Sequence, residues 1–243
     1  MTNVNPAEGL AARFAAVKAS IEAAARKCGR SPEEVRLIAI SKTHPASLIK
    51  SLIDLGAADL GENRVQEAEE KIPQVGQQSV RWHLVGHLQA NKARRALALF
   101  DVIHSLDSID LARRLDRLCV EAGRQSVAVL IQIDLGHEET KTGIEEHELP
   151  QLVDAVKHLE HVELIGLMTL PPFFDDPEQA RPYFRRLRQL RDELAAGGVF
   201  GANRGELSMG MTHDFKVAIE EGATMVRVGT AIFGEREQPQ KGT

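Results

Sequence analysis

The sequence predicts an α/β protein, a single (β/α)8 TIM-type barrel with an extra N-terminal helix. Three observations carry that expectation. Short runs rich in Val, Ile and Leu alternate with segments of helical period from about residue 35 onwards. The runs are almost continuously apolar, as strands of a parallel sheet covered on both faces must be. About eight such units can be counted, the number that closes a parallel barrel. An open doubly wound sheet shares the alternation, so the count, not the rhythm, favours closure.

Residues 6 to 27 come first. Leu10, Phe14, Val17 and Ile21 share one helical face, Gly29 ends the helix, and "RSPEE" opens a new segment. Strands are expected at "VRLIAIS" (35 to 41), "ADLGE" (58 to 62), "RWHLVG" (81 to 86), "DVIHSL" (101 to 106), "VAVLIQID" (127 to 134), "VELIGLMTL" (162 to 170), "ELSMG" (206 to 210) and "TMVRVG" (224 to 229). Between them run helical stretches such as "SLIKSLIDLG", "DLARRLDRLCVEAG", "ELPQLVDAVKHLE" and "RPYFRRLRQLRDELAAGG", several ending on glycine, which accepts the left-handed turn of a helix end. No linker or low-complexity tract interrupts the rhythm. Residues 1 to 234 therefore read as one domain, and the tail "EREQPQKGT" (235 to 243) reads as disordered.

Composition narrows the function classes. The 243 residues are 43% hydrophobic and 27% charged, ordinary for a soluble globular protein. A net charge of -5 argues against a general nucleic-acid binder, which concentrates positive charge to displace counterions. The two cysteines, Cys28 and Cys119, form no C-x-x-C pair, so neither a disulfide framework nor a thiolate metal site is expected, and a reducing cytoplasm fits. The N-terminus lacks the apolar core of a signal peptide, and no apolar run approaches the roughly 20 residues that span a bilayer.

In such a barrel, chemistry sits at the C-terminal strand ends. Those positions hold Ser41, Lys42, Glu62, Asn63, His83, His87, His104, Asp134, Thr169, Ser208, Met209, Arg227, Gly229 and Thr230. Lys42 ends the apolar run of "IAISKTHP". A lysine there is either an ordinary strand-end lysine paired with a carboxylate, or a partly desolvated amine whose neutral form attacks an aldehyde. In "MVRVGTAIFG" a strand ending in Gly-Thr offers backbone N–H groups and a hydroxyl to an anion such as a phosphate monoester, and Ser208 can add a second hydroxyl. The same Gly-Thr also suits a plain strand-to-helix turn. Arg227, between Val226 and Val228, alternates away from them and into the barrel, where its permanent charge needs an acceptor: a carboxylate, a phosphate or a ring nitrogen.

Other candidates fall away. His83 and His87 are four apart but lack a helical context and a third ligand, so no zinc site is expected. The acidic groups "EAEE" (67 to 70) and "HEET" (137 to 140) read as solvated surface. Arg181, Arg185 and Arg188 form a basic stripe, also read as solvated, opposite a buried face of Tyr183, Phe184, Leu187, Leu190 and Leu194.

A strand-end lysine, an anion-ready Gly-Thr loop and an inward arginine together describe a pyridoxal phosphate site. At these residues, and along "LIAISKTHP", "LGENRVQE", "WHLVGHLQANK", "HSLDS", "LIQID", "KTGI", "GLMTLP", "LSMGMTHDF" and "MVRVGTAIFG" in order, the chain resembles the pyridoxal phosphate homeostasis proteins, whose barrel is similar to the N-terminal domain of alanine racemase. The resemblance implies that Lys42 forms the Schiff base with pyridoxal 5'-phosphate and that Asn63 lines the cofactor. It implies that Ser208, Gly229 and Thr230 hold the phosphate while Arg227 lies near the pyridine nitrogen. An arginine there, unlike an aspartate, does not favour a protonated ring nitrogen, which leaves a weaker electron sink and suits a carrier, although racemases of the same fold tolerate the same arrangement. Two positions depart from the family pattern: Arg64 replaces a tyrosine and Thr212 a serine.

The function implied is binding of the cofactor within intracellular vitamin B6 and amino-acid homeostasis, with apo pyridoxal-dependent enzymes as partners and no assigned reaction. Nucleic acid and membrane are not expected partners. An amino-acid racemase of this fold needs a second base, a tyrosine from an additional β domain. Here the chain ends within about ten residues of the last unit, and the single tyrosine, Tyr183, falls on an outer helix. Lack of that dimerising domain leans towards a monomer. A racemase and a phosphosugar isomerase-like barrel remain the alternative readings. Lys141, in "TKTGI", is a candidate second cofactor lysine or a solvated loop residue.

Overall fold

In a computed structural model, which describes residues 6–77, 80–136 and 142–234, eight parallel strands close into a barrel in chain order. They are β1 (Arg36–Ile40), β2 (Asp59–Glu62), β3 (Arg81–Leu84), β4 (Val102–Leu106), β5 (Val127–Ile133), β6 (Val162–Thr169), β7 (Glu206–Ser208) and β8 (Met225–Val228). The intervening helices are α2 (Ala46–Asp54), α3 (Val65–Val75), α4 (Ala93–Leu99), α5 (Ile109–Ala122), α6 (Leu149–Lys157), α7 (Arg181–Ala196) and α8 (Phe215–Glu220). α1 (Pro6–Lys27) precedes the barrel and α9 (Thr230–Phe233) follows β8. Ladder pairing of β8 with β1, Leu37 beside Val226 and Ile38 beside Arg227, makes the sheet a closed one.

Strand alternation sorts the side chains into two layers. Ile38, Ile40, Val102, Leu130, Met168 and Met225 fill the barrel interior. Their neighbours one residue away, such as Ala39, Ile103, Val129, Leu167 and Val226, face the helices and join the outer core around Trp82, Phe100 and Phe184. Gly61 leaves room for this inner layer, because a Cβ there would lie 2.6 Å from Ile40 Cδ1. Among the apolar residues the interior also holds a polar column, described below.

The expected N-terminal helix forms, and Leu10, Phe14, Val17 and Ile21 are all buried. It lies on the outside of the barrel against α2, α8 and α9. Arg13 Nε donates to Ile232 O at 2.7 Å and Lys27 Nζ to Glu220 at 2.7 Å, so α1 covers the seam where the last unit meets the first. Each large apolar side chain buried there stabilises the fold by about 1.5–3 kcal/mol.

Three sequence expectations change. β7 stops at Ser208, short of the expected residue 210, because Gly210 turns left-handed (φ 90°) under α8, where a Cβ would sit 2.6 Å from that of Ala218. The arginine stripe of α7 is not simply solvated: Arg181, Arg185 and Arg188 converge on Glu221, whose side chain is 5% exposed. Nor is "EAEE" all solvated surface, since Glu67 is partly buried in an ion-paired cluster. The tail 235–243, "HEET" and Lys141 lie outside the described residues. Among those described, no helix is long and apolar enough to cross a membrane.

Candidate functional site

β7, β8, β1 and β2 are consecutive neighbours around the barrel, so their C-terminal ends form one arc of its mouth. That arc gathers Ser208, Arg227, Gly229, Thr230, Lys42 and Asn63. Lys42 follows β1 by two residues and is half-buried; Ile38 and Ile40 before it point inward, and period 2 continues the series to Lys42. The next residue, Thr43, has φ 69°, the one positive φ outside glycine among the described residues. A β-branched side chain is strained in that region and persists because surrounding bonds hold it.

Those bonds come from α3. Lys71 Nζ donates to Ser41 O at 2.8 Å, to Glu62 Oε1 at 3.0 Å and to Glu67 Oε1 at 2.6 Å, and Glu67 accepts the backbone N–H of Thr43. Ser41 Oγ donates to Glu62 Oε1 at 2.8 Å. Glu62 is fully buried; burial raises its pKa, with the Lys71 charge opposing, and its Oε2 has no hydrogen-bond partner among the described residues. For Glu67, burial pushes the pKa up, but the hydrogen bonds from Lys71 and Thr43 outweigh it and leave the group below its usual range. Sequence reasoning missed Lys71 and Glu67. Their i,i+4 spacing on a helix was the available signal.

On the other side of the arc, Arg227 is buried inside the barrel as its alternation predicts. Its Nη1 donates to Ser208 Oγ at 2.6 Å and its Nη2 to Thr169 O at 2.9 Å. Burial lowers its pKa to about 10, which still leaves it charged at neutral pH, while its two hydrogen-bond acceptors are uncharged oxygens. Gly229 passes close under β1, where a Cβ would meet Ile40 O at 3.3 Å, and Thr230 is exposed at the start of α9. The His44 ring stacks on Phe233 of α9 (centroids 4.5 Å, interplanar angle 17°), which ties the Lys42 loop to the Gly229–Thr230 turn.

Asn63, half-buried, follows β2; Gly86 lies so close that a Cβ would sit 2.1 Å from Asn63 O. Arg64 is exposed at the N-cap of α3. His83 and His87 part company: His83 is buried on His104 and Asp59, whereas His87 is exposed and paired with Asp107 at 3.0 Å. Met209 belongs to the outer core. Asp134 accepts from the Gly136 N–H in its own turn at 3.1 Å. No cluster of three or more His, Cys, Asp or Glu among the described residues could hold a metal.

The family described as "Alanine racemase, N-terminal domain" matches residues 13–237. The "Pyridoxal phosphate homeostasis protein" of Aquifex aeolicus is 42% identical over 227 residues, covering 93% of this chain and 97% of the relative. The chain belongs to the pyridoxal phosphate homeostasis family. Its Escherichia coli K12 member is 42% identical over 236 residues, 96% of this chain and 99% of the relative. Among solved structures, PipY of Synechococcus elongatus PCC7942, determined with PLP bound, superimposes with a TM-score of 0.77 at 38% identity, covering 93% of this chain and all of that one (100%). Within the homeostasis family pattern, the substitution at Arg64 places a charged side chain at the exposed start of α3 where an aromatic ring was expected; nothing in the structure explains it.

Proposed function

We propose that the protein binds pyridoxal 5'-phosphate at the β7–β8–β1–β2 arc, holds it as a reversible Schiff base on Lys42, and acts in vitamin B6 and amino-acid homeostasis by keeping the cofactor available to apo pyridoxal-dependent enzymes. The observation that carries this reading is the pairing of two unlike groups on adjacent strands. A lysine follows the C-terminal end of β1, and a buried guanidinium hydrogen-bonded, among the described residues, to two uncharged oxygens sits on β8. A buried cation of that kind favours an electron-rich acceptor nearby, which a phosphorylated pyridine supplies.

Each residue has a part. Lys42 supplies the amine; its nitrogen adds to the aldehyde carbon and water leaves, and any competing amine that reaches the carbon reverses the exchange. Gly229 gives close backbone approach and Thr230 a hydroxyl for the phosphate. Asn63 lines the β2 side. Arg227 faces the ring, so the bound cofactor is a weaker electron sink than with an acidic partner, which suits a carrier. Ser208 stands behind Arg227, with its oxygen already engaged. Tyr183, the single tyrosine of the sequence, is on α7, stacked on Phe174 (centroids 5.9 Å). The free cysteines, Cys28 and Cys119, accord with a reducing cytoplasm.

The test is spectroscopic. The apo protein titrated with pyridoxal 5'-phosphate is expected to turn yellow at a stoichiometric end point, and pyridoxal without its phosphate to bind far more weakly. Equal binding of the two aldehydes would remove the phosphate contact from the proposal, and inversion of an amino acid by the pure protein would replace the carrier by a racemase.

A further inference from the structure

A continuous hydrogen-bonded column crosses the barrel interior from mouth to floor. Arg227 Nη1 donates to Ser208 Oγ at 2.6 Å, Ser208 Oγ lies 2.8 Å from His104 Nδ1, His104 Nε2 lies 2.8 Å from His83 Nδ1, and His83 Nε2 lies 2.9 Å from Asp59 Oδ1. His83, His104 and Ser208 are all at 0% exposure. Asp59, the first residue of β2, ends the column at the barrel floor, in an open cavity that Arg36 and Arg81 also line. The five groups come from β8, β7, β4, β3 and β2, so no single strand encodes the column.

The two ends fix its direction. A guanidinium only donates and a carboxylate only accepts. The column has four links, and Arg227, the Ser208 hydroxyl and two neutral imidazoles supply one hydrogen to each. Every link is satisfied only if Ser208 donates to His104, His104 donates from Nε2 to His83, and His83 donates from Nε2 to Asp59. A fifth hydrogen, on either imidazole, would force a donor to face a donor or turn the Ser208 hydroxyl away. It would also add a cation to an interior that already contains Arg227.

We propose that Asp59, His83, His104 and Ser208 are a one-way relay that positions Arg227 at the mouth, with both histidines neutral and protonated on Nε2. The inference rests on the cofactor reading above and deepens it, because it gives the strand-end residues His83, His104 and Ser208, together with Asp59 at the opposite end of β2, a shared positioning role. It also commits the Ser208 hydroxyl hydrogen to His104, so Ser208 acts on the cofactor through Arg227. The charged groups that face the column are Arg36 on β1, Asp59 on β2, Arg81 on β3 and Arg227 on β8, with Asp214 near Arg227. Burial, the largest influence on both imidazoles, pushes their pKa values down and agrees with the hydrogen count.

Two measurements test it. Histidine nitrogen NMR, with signals assigned by H83Q and H104Q, is expected to show neutral Nε2–H tautomers at both positions from about pH 6 to 8, a range in which exposed histidines titrate. An Nδ1–H tautomer or an imidazolium at either site would overturn the relay. In parallel, His104→Leu removes the acceptor for Ser208, while His104→Asn offers one at the Nδ1 position. About a tenfold loss of pyridoxal 5'-phosphate affinity with a shifted absorbance maximum is expected for the first, as for one lost hydrogen bond, and recovery to within about threefold for the second. A folded leucine variant that binds with wild-type affinity and spectrum would refute the positioning role. Absence of any colour in the wild type would instead sink the cofactor reading, with the tautomers still deciding the relay.

Discussion

Lys71 Nζ lies 2.8 Å from the carbonyl oxygen of Ser41, the residue immediately before Lys42. The same ammonium holds Glu67, which takes the backbone N–H of Thr43 immediately after Lys42. The chain on both sides of Lys42 is therefore tied to α3, and the strained Thr43 conformation is explained by that tie.

Lys71→Met leaves the buried Glu62 carboxylate without its counter-charge, so it is expected to lower unfolding free energy by about 3–5 kcal/mol, measured by urea denaturation. The double variant Glu62→Gln with Lys71→Met is expected to recover much of that loss, because the stranded charge is gone. Equal stability of Lys71→Met and wild type would show that the cluster does not hold the loop.

Glu221 is the corresponding hub on the outer surface. Burial alone would raise its pKa, but hydrogen bonds from Arg185 and Arg181 outweigh that and hold it low. A depressed carboxylate pKa contributes stability that is present above about pH 4.5 and is lost as pH falls through the folded-state value. Glu221→Leu leaves three guanidiniums crowded without their shared acid and is expected to cost about 2–4 kcal/mol, read from the same denaturation curves at neutral pH. Loss of under about 0.5 kcal/mol would return the stripe to the solvated surface role.

The relay histidines give the protein its own acid limit. Both have folded-state pKa values below the ordinary value of about 6.5, because burial disfavours the imidazolium. Below that pH the unfolded chain binds protons that the folded one refuses, so stability falls as pH drops, at up to about 1.4 kcal/mol per pH unit for each histidine. Glu62 works the other way, since its raised pKa favours the folded state most at low pH. Unfolding free energies at about pH 7.5 and 5.5 are expected to show the histidine slope, and H83Q with H104Q to flatten it. An unchanged slope in the double variant would assign acid sensitivity elsewhere.

The barrel was legible because its strands are covered on both faces and carry near-continuous apolar runs. The inward turn of Arg227 was legible for a related reason: period 2 on β8 sends it where Met225 goes. The relay was not, because Asp59, His83, His104 and Ser208 meet only when β2, β3, β4 and β7 curve around a common interior, and pairing across a barrel leaves no mark in local sequence. The arginines of α7 looked solvated for the same reason, their shared acid lying at the C-cap of α8. Lys71 and Glu67 were overlooked because an acidic helix face normally points to water, whereas here the close approach of α3 to the Lys42 loop encloses part of it.

The most direct test of the account is borohydride reduction of the protein mixed with pyridoxal 5'-phosphate, followed by peptide mapping. A stable adduct is expected on the peptide containing Lys42, and Lys42→Ala is expected to lose both adduct and colour while remaining folded. An adduct located only on another lysine, or a Lys42→Ala protein as yellow as the wild type, would contradict it.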